Sequence, residues 1–301
     1  EMLYRPLRQI ADKFTTLQMG MVAGDRVFEI IDTQESISKE GSIEITNLEG
    51  SIQFNDVHFG YIKGESVLKG ISFEIKAGET IAIVGATGAG KSTIINLINR
   101  FYEIDSGQIS IDHTDINAYT LHSLRNHIAI VLQDVFLFSE SILNNITLKN
   151  KTLPLEQVQK AAKQIGVHDF IMSLPGEYEY NVKERGGMLS SGQRQLIAFL
   201  RAYVSSPSIL ILDEATSSVD TQSEQMIQYA TDTITKNRTS IIIAHRLATI
   251  QKADTILVMD QGEIVEKGNH KELLENKNGV YKNLFEKQFG LESMTRVNQS
   301  S

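Results

Sequence analysis

The run Gly85-Ala86-Thr87-Gly88-Ala89-Gly90-Lys91-Ser92 has the G-x-x-x-x-G-K-S spacing of a phosphate-binding loop. It follows the aliphatic run Thr80 to Val84 and opens a predicted helix over Lys91 to Tyr102, so a strand precedes it and a helix follows. Glycines let such a loop bend with its N–H groups turned inward, and the helix N-terminus adds partial positive charge. In that setting Lys91 reaches the β and γ phosphates of a nucleoside triphosphate and the Ser92 hydroxyl ligates Mg²⁺. Thr93, next on the helix, joins the nucleotide-binding set. A guanine-reading N-K-x-D motif is missing from the usual position, which favours adenine.

A second group of residues supplies charge at the ends of other apolar runs. Ile209 to Leu212 ends in Asp213 and Glu214, placing two carboxylates at the C-terminal end of a buried strand, where ligands sit in open α/β sheets. Asp213 is placed to hold the Mg²⁺ shell and Glu214 to orient and deprotonate a water, since phosphoryl transfer depends on positioning and charge stabilisation. His245 follows the β-rich run Thr239 to Ala244 and reaches the same edge, as a sensor of the γ phosphate. Gln133 follows Ile128 to Leu132 in the same way, with an amide able to complete or report on the metal shell. Leu189-Ser190-Ser191-Gly192-Gln193 precedes an apolar helix running through Leu196, Ile197 and Leu200. Ser190 and Ser191 read as its N-cap residues, giving a second helix N-terminus suited to an anion.

These residues need a framework of buried strands and helices, and the chain can build one. Its 301 residues are 41% hydrophobic, enough for a substantial core. Its 37 acidic against 29 basic residues, a net charge of -8, argue against a chain that coats nucleic acid. With no cysteine, disulfide frameworks, thiolate metal sites and cysteine nucleophiles are excluded. No apolar run of about 18 residues is present to cross a bilayer. The chain starts at Glu1 rather than Met, as a piece trimmed from something longer would.

Residues 1–32 read as one long helix carrying Leu3, Leu7, Ile10, Phe14, Leu17 and Met21 at helical spacing. Residues 33–50 are polar and aperiodic, a linker, and the fold starts near Ser51. Ile52 and Phe54, then Ile71, Phe73 and Ile75, alternate as half-exposed strands and predict an antiparallel β subdomain. Pro154 to Leu174 predicts a helical region. Beyond it, Ile209 to Leu212, Thr239 to Ala244 and Thr255 to Met259 alternate with helical stretches, the arrangement of a parallel sheet. Residues 290–301 are a polar tail, and no internal repeat is found.

On these residues the chain resembles the nucleotide-binding domain of ATP-binding cassette (ABC) transporters over about residues 51 to 288. The resemblance implies an α/β fold, a P-loop NTPase of ABC type with a RecA-like parallel-sheet core, an antiparallel β subdomain and an α-helical subdomain at about 134–206, within an ATPase domain of 51–289. It casts Tyr61 as the aromatic residue stacking on adenine, Gln133 as the Q-loop glutamine facing a membrane domain, and Leu189 to Gln193 as the family signature. Asp213 and Glu214 resemble the Walker B aspartate and the catalytic glutamate, Ser217 to Asp220 the D-loop, and His245 the switch histidine. In the family the signature serves a second domain's nucleotide, through Ser190, Gly192 and Gln193, in a head-to-tail dimer holding two Mg-ATP. The chain departs from the usual Leu-Ser-Gly-Gly-Gln at Ser191, whose N–H can still donate where its local φ is negative.

Val131 to Asp134, Leu137 to Ser139 and Ile142 to Ile146 resemble the exporter form of the Q-loop region, and Glu184 to Gly187 the exporter X-loop. Residues 1–32, with Pro6-Leu7-Arg8 early and Asp25 to Asp32 late, resemble the end of an exporter's last transmembrane helix. The resemblance thus implies the ATP-hydrolysing domain of a half-size exporter at the cytoplasmic face of a membrane. Its partners are a second ATPase domain, identical or not, and the transmembrane domain of its own full-length chain, with no nucleic acid. The transported substrate belongs to that membrane domain. A soluble ABC ATPase acting on nucleic acid is the alternative; it usually carries a coiled-coil insertion or two cassettes, which this chain lacks. A small-molecule kinase leaves the signature and His245 without a role.

Overall fold

The computed structural model describes residues 4–33, 41–213, 221–244, 246–276 and 278–287. The chain forms two compact units, residues 1–39 and 40–301. The described residues of the first unit form one helix, α1 (Tyr4–Asp32), which exposes Leu7, Ile10, Phe14 and Leu17. Among the described residues no helix is long and apolar enough to cross a membrane.

The second unit begins with β1 (Ile52–Phe59), β2 (Leu68–Ile75) and β3 (Thr80–Gly85), followed by α2 (Lys91–Ile98), β4 (Ser106–Ile111), β5 (Thr114–Asp115), α3 (Leu121–Asn126) and β6 (Ile128–Val131). Four helices fill the stretch between β6 and the next strand: α4 (Ile142–Thr147), α5 (Leu155–Gln164), α6 (His168–Met172) and α7 (Ser191–Val204). Then β7 (Ile209–Asp213), α8 (Thr221–Ile234), β8 (Thr239–Ile243), α9 (Leu247–Lys252), β9 (Thr255–Asp260), β10 (Glu263–Gly268), α10 (His270–Glu275) and a last helix at 280–287 complete the unit.

Two sheets result. β2-β1-β4-β5 are antiparallel, and the six-stranded sheet has the order β10-β9-β3-β8-β7-β6. β9, β3, β8, β7 and β6 run parallel, while β10 returns antiparallel at the edge. Side chains alternate faces along a strand, so each central strand feeds two cores. Ile81, Ile83, Ile209, Ile211, Ile241 and Ile243 face the antiparallel sheet, meeting Ile52, Phe54 and Phe73. Phe54 and Phe73 stack with centroids 4.5 Å apart. Ala82, Val84, Leu210, Leu212 and Ile242 face the opposite way, into a core that includes Ile142, Val158, Leu196 and Phe199 of the helices.

Three local features differ from the sequence expectations. Helix α2 stops at Ile98 rather than Tyr102: the Asn99 side chain donates to the Ile95 carbonyl at 2.8 Å and Arg100 takes φ 50. The helical region 154–174 is two helices, divided at Gly166 with φ 75. Residues 41–50 are a hydrogen-bonded strap rather than a free linker. Ile43 N–H donates to the Ala118 carbonyl and the Ile43 carbonyl accepts from Thr120 N–H, both at 3.0 Å. The Asp112 carboxylate accepts from the N–H groups of Glu49, Gly50 and Ser51 at 2.7, 3.0 and 2.8 Å. Backbone pairing of this kind leaves no apolar period in the sequence.

Candidate functional site

The phosphate loop joins β3, near the middle of the parallel sheet, to α2. Gly85 is required by close approach, because a Cβ there would lie 2.2 Å from the Met259 carbonyl oxygen of β9. Gly90 caps α2 in the left-handed region, φ 99 and ψ 7, a conformation that costs a residue with a Cβ. Ala89 N–H donates to the Ala86 carbonyl at 3.1 Å and closes the loop, and the Ala89 carbonyl accepts from Gly262 N–H at 3.2 Å, tying it to the β9–β10 turn. The buried Lys91 ammonium curls back into the loop, donating to the carbonyls of Gly85 and Ala86 at 2.8 and 2.9 Å. Ser92 is exposed at the start of α2 and Thr93 is buried beneath it.

Asp213 ends β7, two strands from β3 across β8. Burial pushes its carboxyl above the ordinary value, an effect the Lys91 charge partly offsets. Burial likewise pulls the Lys91 ammonium below its ordinary value, against the pull of Asp213. Each group thus partly offsets the other's burial, at the edge where parallel strands end. Glu214, His245 and the segment Ser217 to Asp220 lie outside the described residues. Gln133, two residues beyond β6, is exposed. The Tyr61 hydroxyl reaches α2, donating to Thr93 Oγ1 at 3.2 Å. Lys91, Ser92, Thr93, Tyr61 and Asp213 are therefore gathered about one loop.

The second helix N-terminus is preorganised. Ser190 is the N-cap of α7, its Oγ accepting from Gln193 N–H at 3.2 Å while Gln193 Oε1 accepts from Ser190 N–H at 3.0 Å, a reciprocal capping box. Ser191 opens the helix in right-handed backbone, so the departure from glycine introduces no left-handed strain. Ser190 and Ser191 are exposed and Gly192 is buried.

Sequence reasoning named Asn145 only within the run Ile142 to Ile146, with no role of its own, and missed Arg201. Beside Gln133 lies a groove of about 750 Å³ whose lining includes Leu132, Val135, Phe136, Phe138, Leu148 and Arg201. Fully buried Asn145 shapes it, accepting from Phe138 N–H at 2.8 Å and donating to the carbonyls of Phe138 and Ser141 at 3.0 and 3.1 Å. Arg201, on the same helix as the Ser190 cap, donates through Nε to the Asn145 carbonyl at 2.8 Å. Burial draws its guanidinium below the ordinary value. The sequence signal for Arg201 was a long polar residue at a core position of a helical period.

Comparison with known proteins agrees with this geometry. The sequence model of the family described as "ABC transporter" matches residues 68–217. An ATP-dependent lipid A-core flippase of Saccharophagus degradans is 47% identical over 285 residues, covering 95% of this chain and 48% of the flippase. A putative multidrug export ATP-binding/permease protein, YgaD of Bacillus subtilis, is 45% identical over 285 residues, covering 94% of this chain and 49% of that protein. A solved bacterial Atm1-family ABC exporter with ATP bound superposes with a TM-score of 0.78 at 40% identity, over 95% of this chain and 50% of that one. The chain spans about half the length of the curated relatives it matches.

Proposed function

The chain belongs to the ABC transporter family, carrying its ATP-binding domain, and on that premise we propose that it is the ATP-hydrolysing half of an exporter subunit, paired head to tail with a second such domain. The observation that carries this is the division of the anion-binding features. Lys91, the loop glycines and Asp213 converge on one edge of the sheet, while the exposed, capped N-terminus at Ser190 and Ser191 belongs to a separate helix.

The residues present fit Mg-ATP. Part-buried Asp213 and exposed Ser92 offer oxygen donors beside the phosphate loop, the kind a magnesium ion takes along with phosphate oxygens and water. When bound, that ion neutralises charge on the phosphates. Ser92, Gln133 and Asp213 would hold it, Asp213 losing the penalty of a buried carboxylate as it does so. Lys91 trades its two carbonyl partners for phosphate oxygens. Thr93 and the loop N–H groups of residues 86–90 fix the phosphates, and the ring of Tyr61 stacks on adenine. Glu214 orients and deprotonates the attacking water, and His245 contacts the γ phosphate. Ser190, Gly192 and Gln193 present the end of α7 to the partner's nucleotide, completing a site that one chain leaves open.

The apolar groove beside Gln133 receives the transmembrane part of the full-length protein, and α1 is the end of that part's last helix. On this reading the domain works at the cytoplasmic face of a membrane. Names of relatives range from lipid A-core flippase to fatty acid ABC transporter and putative multidrug export protein, consistent with cargo being chosen by the membrane part. Phosphate release from Mg-ATP by this chain and by Lys91→Ala tests the core of the proposal. The variant should lose ATP affinity in a nucleotide titration and turnover with it; unchanged binding would remove the loop from the role.

A further inference from the structure

Tyr61 lies in the tight connection between β1 and β2, closed by Val67 N–H donating to the Phe59 carbonyl at 2.7 Å and Glu65 N–H donating to the Ile62 carbonyl at 2.9 Å. Its ring is 47% exposed and meets Phe59 and Tyr102 edge to face, with centroids 4.9 Å from each. Its hydroxyl crosses to a different element. It donates to Thr93 Oγ1 at 3.2 Å and accepts from Asn96 Nδ2 at 3.0 Å. Thr93 and Asn96 are three residues apart, on one face of α2, the helix that begins with Lys91. One hydroxyl therefore ties the ring to the helix that carries the phosphate-loop lysine.

We propose that Asn96 is a positioning residue that, with Thr93, fixes the Tyr61 ring against the phosphate-loop helix and thereby sets the preference for a nucleoside triphosphate over bare triphosphate. The proposal rests on Tyr61 being the adenine platform. A half-exposed tyrosine without an anchor loses rotamer freedom when a base stacks on it, and that loss subtracts from affinity. Anchored in advance, the ring is already in place at a fixed distance from Lys91. Asn96 is half-buried and belongs to neither hydrophobic core, so its removal tests the anchor rather than the fold.

The test is calorimetric titration of the chain with Mg-ATP and, separately, with inorganic triphosphate and Mg²⁺, for Tyr61→Ala, Tyr61→Phe, Asn96→Ala and the double variant Tyr61→Phe/Asn96→Ala. Tyr61→Phe and Asn96→Ala should each weaken ATP binding about three- to ten-fold, the scale of one or two neutral hydrogen bonds, and leave triphosphate binding unchanged. KM for ATP should rise while kcat holds, the signature of lost uniform binding. The double variant should be no weaker than Tyr61→Phe alone, because both changes remove the same hydroxyl bond. Additive losses, equal losses for ATP and triphosphate, or unchanged ATP binding by Asn96→Ala would overturn the anchor. Tyr61→Ala separates the two levels. If it weakens ATP selectively while Asn96→Ala does not, only the anchor fails; if it leaves ATP selectivity intact, the adenine platform fails and the anchor with it.

Discussion

Ser190→Ala separates the stability of α7 from the work proposed for its N-terminus. The Ser190 Oγ accepts from Gln193 N–H at 3.2 Å, and alanine leaves that N–H to solvent. Losing a cap of this kind costs about 1 kcal/mol. From a total of about 5–15 kcal/mol, that leaves the domain overwhelmingly folded, with Tm lower by about 2–4 °C for a domain of this size. Turnover answers to a different interaction. In the closed pair proposed above the same hydroxyl would face the partner's γ phosphate, and a hydrogen bond to a charged group contributes about 1.5–3 kcal/mol, roughly 10- to 100-fold in the closed population. The assay pairs phosphate release across a range of chain concentrations with ATP titration at dilute chain. Turnover should fall by at least about 10-fold, with ATP affinity of the dilute chain unchanged and only the small Tm shift. Unchanged turnover would refute the reasoning. So would an equal loss of dilute-chain affinity, which would put Ser190 in its own chain's site.

Gly85→Ala places a Cβ 2.2 Å from the Met259 carbonyl oxygen, forcing β3 and β9 apart; a cost of about 1–3 kcal/mol follows from overpacking, with weaker ATP binding, and thermal melting with a nucleotide titration reads both. Acidification should weaken the Mg-dependent part of ATP affinity as pH falls through the raised pKa of Asp213, because in the proposed site the metal would take the carboxylate and a proton would compete for it. That loss should begin above the ordinary carboxylate range in titrations at stepped pH; onset only within that range would contradict it. The sign reverses for the ligand-free chain, where a raised carboxyl pKa means the folded state binds the proton more tightly, so the Asp213 contribution favours folding as pH falls through the same window.

Much of this was legible because the physics was local. Thr80 to Val84 and Ile209 to Leu212 are short runs of β-branched and aliphatic residues, long enough for buried strands and too short for most helices, and each ends where a charged or glycine-rich stretch begins. Ser190 and Ser191 read as caps ahead of an apolar helix; Ser190 alone caps it, and Ser191 is its first helical residue. The edge strand β10 was not read, because Glu263 to Gly268 is half exposed along its length and carries no apolar face. The strap at 41–50 is fixed by main-chain bonds and by Asp112, more than 60 residues away in the chain, so nothing nearby in sequence marks it. Asn96, Asn145 and Arg201 act through carbonyl and hydroxyl partners on other elements, pairings that only the folded chain brings together. For Ser191 the sequence left the outcome conditional on its backbone, and the first turn of α7 supplies the right-handed conformation that glycine is not needed for.

Mixing two impaired chains tests most directly whether each ATP site is built from two molecules. Lys91→Ala keeps its α7 N-terminus and loses its phosphate loop, and Ser190→Ala does the reverse. In a head-to-tail pair of unlike chains, one site combines the intact loop of one with the intact cap of the other. The mixture should therefore hydrolyse Mg-ATP faster than the mean of the two variants measured alone. A rate equal to that mean at every concentration would show that loop and signature act within one chain, and would contradict the account.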